Sequence, residues 1–234
     1  MQELWPDSAP KIDVAARIAS DERPAPPDRP WIALVMISSL DGAIQIDGLS
    51  GGLGAPSDKE RFVAARQSAD VIIVGATTAR HENYRPSSSP IAVVSGSLSV
   101  DPSMELFSDP ERPPLLCTTS QAAADRGSAF DGVAEIIDFG DSLEPAAVAG
   151  YLRRRGFTHA VLEGGPTLNG AFLGADLVDE ILLSISPLTV GGPSPRILNT
   201  PAALDPPLRF SPDRVLMGDD LLFVRFLRQR QQST

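Results

Sequence analysis

Apolar residues in this chain fall into short runs, and segments of helical period separate them. Residues 31–37, Trp-Ile-Ala-Leu-Val-Met-Ile, form a near-continuous apolar run, the pattern of a strand buried on both faces. Residues 71–74, 91–94, 115–118, 135–137, 159–162 and 180–185 read as further strands. Between them the pattern predicts helices over 57–69, 78–84, 121–126, 144–155 and 167–173. Ser57 with Glu60 three residues on is a capping-box signal for the first of these, and Gly156 closes the fourth. Residues 213–217 and 221–226 flank Gly218-Asp219-Asp220 and read as a terminal hairpin. The alternation predicts an α/β protein with a mostly parallel sheet, flanking helices and a C-terminal antiparallel hairpin.

Residues 1–29 differ. They carry Pro6, Pro10, Pro24, Pro26 and Pro27, with one short amphipathic helix expected over 11–20. We read 1–29 as a proline-rich arm, either docked or a free tail, and 30–234 as the main domain.

Composition narrows the function. A net charge of −10 argues against a nucleic-acid surface, which needs a basic footprint. Cys117 is the only cysteine, and His81 and His159 stand apart, so neither an internal disulfide nor a metal site is expected. No apolar run reaches membrane-span length, and residues 1–10 lack a basic-then-apolar signal pattern, so a cytoplasmic location is expected.

Ligands of such sheets collect at the carboxyl ends of strands, which directs attention to four loops: 38–54, 75–86, 95–97 and 163–168. In the last, a strand ends at Glu163, Gly164 and Gly165 follow, and a helix starts with Pro166-Thr167-Leu168. Paired glycines let a ligand approach the backbone, and a helix start favours phosphate. The same sequence also suits a simple tight turn. Glu163, a carboxylate at a buried strand tip, needs solvent or a donor-rich partner. In the first loop Asp41-Gly42 reads as a turn, followed by a glycine-rich stretch around Ser50 that suits a binding flap. In the second, Thr78 sits where a helix N-cap would fall, and Glu82 with Arg85 could form an exposed pair. Arg66 lies beside the stripe marked by Phe62, Val63 and Ala69. It therefore needs an anion, either a protein carboxylate or a substrate phosphate.

Taken together, the motifs resemble the reductase domain of the bifunctional riboflavin-biosynthesis deaminase–reductase, within the dihydrofolate-reductase-like superfamily. The carrying residues are S-L-D-G at 39–42, V-G-A-T-T at 74–78, E-N-Y at 82–84, E-G-G-P-T-L at 163–168, and D-E-I-L-L-S-I-S-P at 179–187 before Gly191-Gly192. Two departures stand out: Leu34-Val35-Met36 where many members carry a lysine, and Glu82 where aspartate is common. The zinc signature of the partner deaminase has no counterpart.

The resemblance implies a nine-stranded type of sheet with NADPH across the strand ends. Gly164 to Leu168 would hold the pyrophosphate, and Thr78 and Glu82 would face the cofactor. Ser95 would lie at the adenosine end, with Ser97 near a 2′-phosphate, and the Ile37 backbone would meet the nicotinamide. Ser50, Arg66 and Glu163 would contact a phosphorylated pyrimidine, with Arg85 a further phosphate candidate. The implied reaction reduces the ribosyl group of a phosphoribosylamino-pyrimidine to ribityl by hydride transfer to C1. Asp41 and Glu163 are the candidate catalytic carboxylates, Asp41 either helping to protonate the imine or holding its loop. The resemblance also implies a homodimer. The alternatives are a dihydrofolate or pterin reductase, and a silent nucleotide-binding homologue.

Overall fold

A computed structural model describes residues 1–230. Its strands are β1 (Gln2–Trp5), β2 (Trp31–Ser38), β3 (Val71–Gly75), β4 (Ile91–Val94) and β5 (Leu115–Thr118), then β6 (Glu135–Asp138), β7 (His159–Leu162), β8 (Glu180–Ile185), β9 (Phe210–Gly218) and β10 (Leu221–Arg228). Its helices are α1 (Val14–Ala19), α2 (Pro56–Ser68), α3 (Ala76–His81), α4 (Ser120–Arg126), α5 (Pro145–Arg154) and α6 (Pro166–Gly174). All ten strands form one sheet in the order β1-β9-β10-β8-β2-β7-β3-β4-β5-β6. From β8 to β6 the neighbours are parallel, and β10, β9 and β1 add antiparallel strands at one edge. The resemblance implied nine strands. The tenth is β1, a short segment followed by Pro6 and ordered by pairing with Val215–Met217 of β9.

The arm is therefore docked. Val14 and Ile18 of α1 bury against Ala64 of α2. Asp21 receives both terminal nitrogens of Arg214, at 2.6 and 2.8 Å. Arg23 and Arg225 converge on Glu180 with the Trp31 indole. Burial opposes ionisation of Glu180, but these two cations and their hydrogen bonds hold its pKa down to about 2. Among the described residues no helix is long and apolar enough to cross a membrane.

Two helix starts differ from expectation. Helix α2 begins at Pro56 with Ala55 as cap, so Ser57 falls inside the first turn and no capping box forms. Ser57 instead donates its hydroxyl to the Gly218 carbonyl, and its N–H to Asp219, tying α2 to the hairpin turn. Helix α3 begins at Ala76, which places Thr78 within the helix and not at its cap. The buried stripe of α2 is Ser57, Arg61, Ala64 and Ala65, and Val63 points to solvent.

Candidate active site at the strand ends

The register of the central strands opens a seam. Strands β2 and β7 pair from Trp31↔His159 to Leu34↔Leu162 and no further. Beyond that point β2 continues along β8 to Ser38, while the Glu163 N–H turns to the Ile73 carbonyl of β3. The Ser38 carbonyl accepts from Ser186 on the β8 side, so by strand alternation the N–H and C=O of Ile37 face the side that β7 has left. A cavity of about 790 Å³ lies over this seam. Its floor includes Val35, Met36 and Ile37, α2 and α3 form its walls, and Gln45, Gly48 and Ser50 of the flap cover it.

The glycine turn lies at one end of the cavity. The Gly164 carbonyl accepts from Gly75 N at 2.6 Å, fixing the turn to the end of β3. Gly164 has a φ of +91°, and a Cβ there would press on Asn169. A Cβ on Gly165 would come within 2.8 Å of the Thr78 hydroxyl, so only glycine keeps this cradle open. Pro166 occupies the first turn of α6, capped by Gly165.

Glu163 leaves β7 toward α2 and is 6% exposed. Arg66 donates to both its oxygens, at 2.7 and 2.6 Å, and the Tyr84 hydroxyl donates to Oε2 at 2.5 Å. The Arg66 guanidinium lies between two rings, 4.5 Å from the centre of Phe62 and 5.0 Å from that of Tyr84. Burial draws the Arg66 pKa down, but Glu163 outweighs it and the net shift is upward. Burial, then the charge of Glu163, pushes the Tyr84 pKa well above its ordinary value, so its proton stays on. Of the two anions expected for Arg66, a protein carboxylate and a substrate phosphate, the structure pairs it with the carboxylate of Glu163. Tyr84 carried no role in the sequence reading, although it lies within the E-N-Y motif.

Asp41, expected either to help protonate the imine or to hold its loop, is bonded to its own turn and to the loop after β8. It does not line the cavity. It accepts hydrogen bonds from the Ser39 hydroxyl and from Val190 and Gly191 N–H groups, binding its turn to the loop after β8. These bonds hold its pKa at about 2, so it is ionised and a poor proton donor near neutrality.

The remaining candidates divide. Ile37, Ser50, Thr78, Glu82, Gly165 and Pro166 all line the cavity, as do Arg66 and Glu163. Glu82 accepts from Ser50 N at 3.0 Å, so it tethers the flap. It does not pair with Arg85, which meets Glu105 in an exposed contact at 3.1 Å. Gly164, Thr167 and Leu168 lie behind or beside the cradle, outside the cavity wall. Ser95 is buried and caps its own turn by accepting from Ser99 N, and Ser97 next to it is exposed.

An open seam between parallel strands, a glycine cradle at a helix start and a flap over both define an α/β protein with a cavity across its strand ends. The model of the RibD C-terminal domain matches residues 30–216, and the chain belongs to that family. It is 28% identical over 180 residues to the 2,5-diamino-6-ribosylamino-4(3H)-pyrimidinone 5′-phosphate reductase of Methanothermobacter thermautotrophicus, covering 73% of this chain and 83% of that one. The enzyme of the same name from Aquifex aeolicus is 29% identical over 179 residues, covering 70% and 80%. Among solved structures, a pyrimidine reductase-like protein from Corynebacterium diphtheriae superposes with a TM-score of 0.82 at 24% identity, covering 94% of this chain and 100% of that one. Acinetobacter baumannii RibD gives 0.74 at 17% identity, covering 87% and 59%. The fold is dihydrofolate-reductase-like.

Proposed function

We propose that this protein is an NADPH-dependent reductase of a ribosylaminopyrimidine 5′-phosphate in riboflavin biosynthesis, turning the ribosyl group into ribityl. The observation that carries the reading is the seam between β2 and β7, where the Ile37 backbone faces a cavity ending at the Gly165 cradle. A reduced nicotinamide, when bound, supplies the hydride. Ile37 offers one N–H and one C=O to a carboxamide, and the open Cα of Gly165 gives a pyrophosphate room against the start of α6. Hydride delivered to C1 of the open-chain imine, with a proton from solvent on the imine nitrogen, would turn C=N into CH–NH. The walls hold the two reactants together and limit water, a positioning role. The resemblance puts Ser95 and Ser97 toward the adenosine end, and Arg80 reaches the same turn at the Ser99 carbonyl; this neighbouring cation is the ground for reading NADPH over NADH.

A pterin reductase of this fold would use a buried acid near the ring. Here the buried acid, Glu163, is taken up by Arg66 and Tyr84, which supports the pyrimidine reading. A homodimer belongs to the same proposal on different grounds from those expected. The hairpin edge is partly covered by β1 of the same chain, but Trp5, Met217 and Leu222 leave apolar surface exposed on the outer face there. Light scattering at micromolar concentration tests it, and a monomer refutes it. The test of the function is NADPH oxidation with the phosphorylated ribosylaminopyrimidine beside dihydrofolate. Oxidation with the first alone is expected, and binding of NADPH without oxidation of either overturns the proposal.

A further inference from the structure

Residues 186–209, between β8 and β9, form neither helix nor strand. A connection of that length inside a compact domain is uncommon unless it works at a site. Six prolines, Pro187, Pro193, Pro195, Pro201, Pro206 and Pro207, restrict its backbone, so it behaves as a stiff strap. Its first half is tied to the root of the flap. The Leu188 carbonyl accepts from Leu40 N at 2.8 Å, and Asp41 takes the N–H groups of Val190 and Gly191. Further on, the Pro195 carbonyl accepts from Ile44 N at 3.3 Å, and the Ser194 hydroxyl donates to the Gln45 carbonyl at 3.4 Å. Ile44, Gln45 and Pro195 line the cavity.

The strap then crosses α6 beside the glycine turn. Asn199 N donates to the Pro166 carbonyl at 2.9 Å, and Asn169 Nδ2 donates to the Ile197 carbonyl at 2.7 Å. At Gly170 the approach is so close that a Cβ would stand 2.1 Å from the Asn199 carbonyl oxygen. Asn169 is the point where these parts meet. It is fully buried, and its Nδ2 also lies 3.4 Å from Met36 Sδ in the cavity floor. A Cβ on Gly164 would come within 3.2 Å of the same nitrogen. Its Oδ1 is buried with no partner among the described residues. A buried amide with one end unbonded is costlier than a leucine of similar size. What leucine lacks is the donor that holds Ile197.

We propose that residues 188–199 are a linkage between the flap and the glycine cradle, with Asn169 the positioning residue that fastens it at the cradle end. This rests on the reading that NADPH seats its pyrophosphate at Gly165. A cofactor that orders the cradle then orders the flap, which readies the cavity for the second reactant. Such coupling needs no contact between NADPH and the strap-bound part of the flap. It needs a stiff connection bonded at both ends.

The test is hydrogen–deuterium exchange on the full-length protein, read at residues 42–50 for the flap, 163–168 for the cradle and 115–126 as a control. Asn169→Leu removes the fastening, and Gly170→Ala forces the strap off α6 while favouring the helix itself. Without ligand, both variants should exchange about fivefold faster at 42–50, as for one lost hydrogen bond, with 115–126 unchanged. Unchanged flap exchange in both variants overturns the linkage. Equal acceleration in the control overturns it too, since that marks a general loss of stability. Saturating NADPH should slow exchange at cradle and flap in the wild type, and at the cradle alone in Asn169→Leu. Flap protection that persists in Asn169→Leu runs through the Glu82 tether to Ser50 and overturns the role of Asn169. Protection of the wild-type cradle without the flap overturns the coupling. If NADPH protects neither segment while the variants loosen the flap, the cofactor reading falls and the linkage stands. Should neither variant fold, Glu82→Ala decides: flap protection by NADPH that survives there runs through the strap, and its loss overturns the proposal.

Discussion

The two inward arginines of α2 lie on one helix, over one sheet, and in opposite electrostatic states. Around Arg66, a bidentate carboxylate, a tyrosine hydroxyl and two aromatic faces complete the guanidinium, and its proton is held more tightly than usual. Around Arg61, a hydroxyl and a distant carbonyl are the bonded partners, and the proton is held less tightly. The difference teaches that burial alone does not make an ion structural. A buried ion with its counterion is part of the frame, and one without it carries a desolvation cost that its neighbours only partly offset.

Substitution should separate the two sharply. Arg66→Met leaves Glu163 buried with only Tyr84, and should cost about 3–5 kcal/mol in urea unfolding, the range for a broken buried pair. Arg61→Met removes an under-compensated charge and inserts a side chain of similar length, so stability should hold or rise. Equal losses in both variants would dissolve the contrast. Next in size is Tyr84→Phe, which deletes one hydrogen bond to a charged group. A loss of about 1.5–3 kcal/mol is expected. An unchanged denaturation midpoint would show that Arg66 completes Glu163 alone.

Much of the frame was legible because the chain obeys simple periodicities. Strands β2, β3 and β7 are buried on both faces, and their unbroken apolar runs say so. Strand β1 was not legible, since its residues gain order only from β9, more than two hundred positions away. The glycine turn was found because paired glycines before a proline-led helix have a local meaning. Arg66 was placed correctly beside the sheet, but its partner lies 97 residues on, beyond any local rule. Arg61 was missed through the choice of stripe. Phe62 and Val63 drew attention by their hydrophobicity, whereas Ser57, Arg61, Ala64 and Ala65 follow the helical spacing with small or polar side chains.

Smaller effects sharpen the same contrast from outside the pair. Glu82→Ala frees the flap at Ser50 without touching either arginine. KM for both substrates should rise a few-fold, on the order of one lost exposed hydrogen bond, with the midpoint of unfolding unmoved. A large stability loss would instead make the flap part of the frame. The smallest effect belongs to Asp41. Its folded pKa of about 2 lies below the ordinary 3.8, so its hold on residues 190 and 191 is complete above the higher value and fades as pH falls toward the lower. Asp41→Asn should flatten that part of the acid-stability profile and leave turnover near neutrality intact. A loss of turnover at neutral pH would restore Asp41 to catalysis.

The docked arm has a consequence in time as well as in space. Strand β1 needs β9, and Asp21 needs Arg214, 193 positions later. During synthesis from the N-terminus, these contacts cannot form until residues 214–217 have been made. Any helix α2 formed earlier waits without β9 in place, and with it the tie from Ser57 to Gly218. Arg66 can meet Glu163 and Tyr84 before the β9–β10 hairpin exists, whereas Arg61 reaches its final surroundings only when Phe223 of that hairpin is in place.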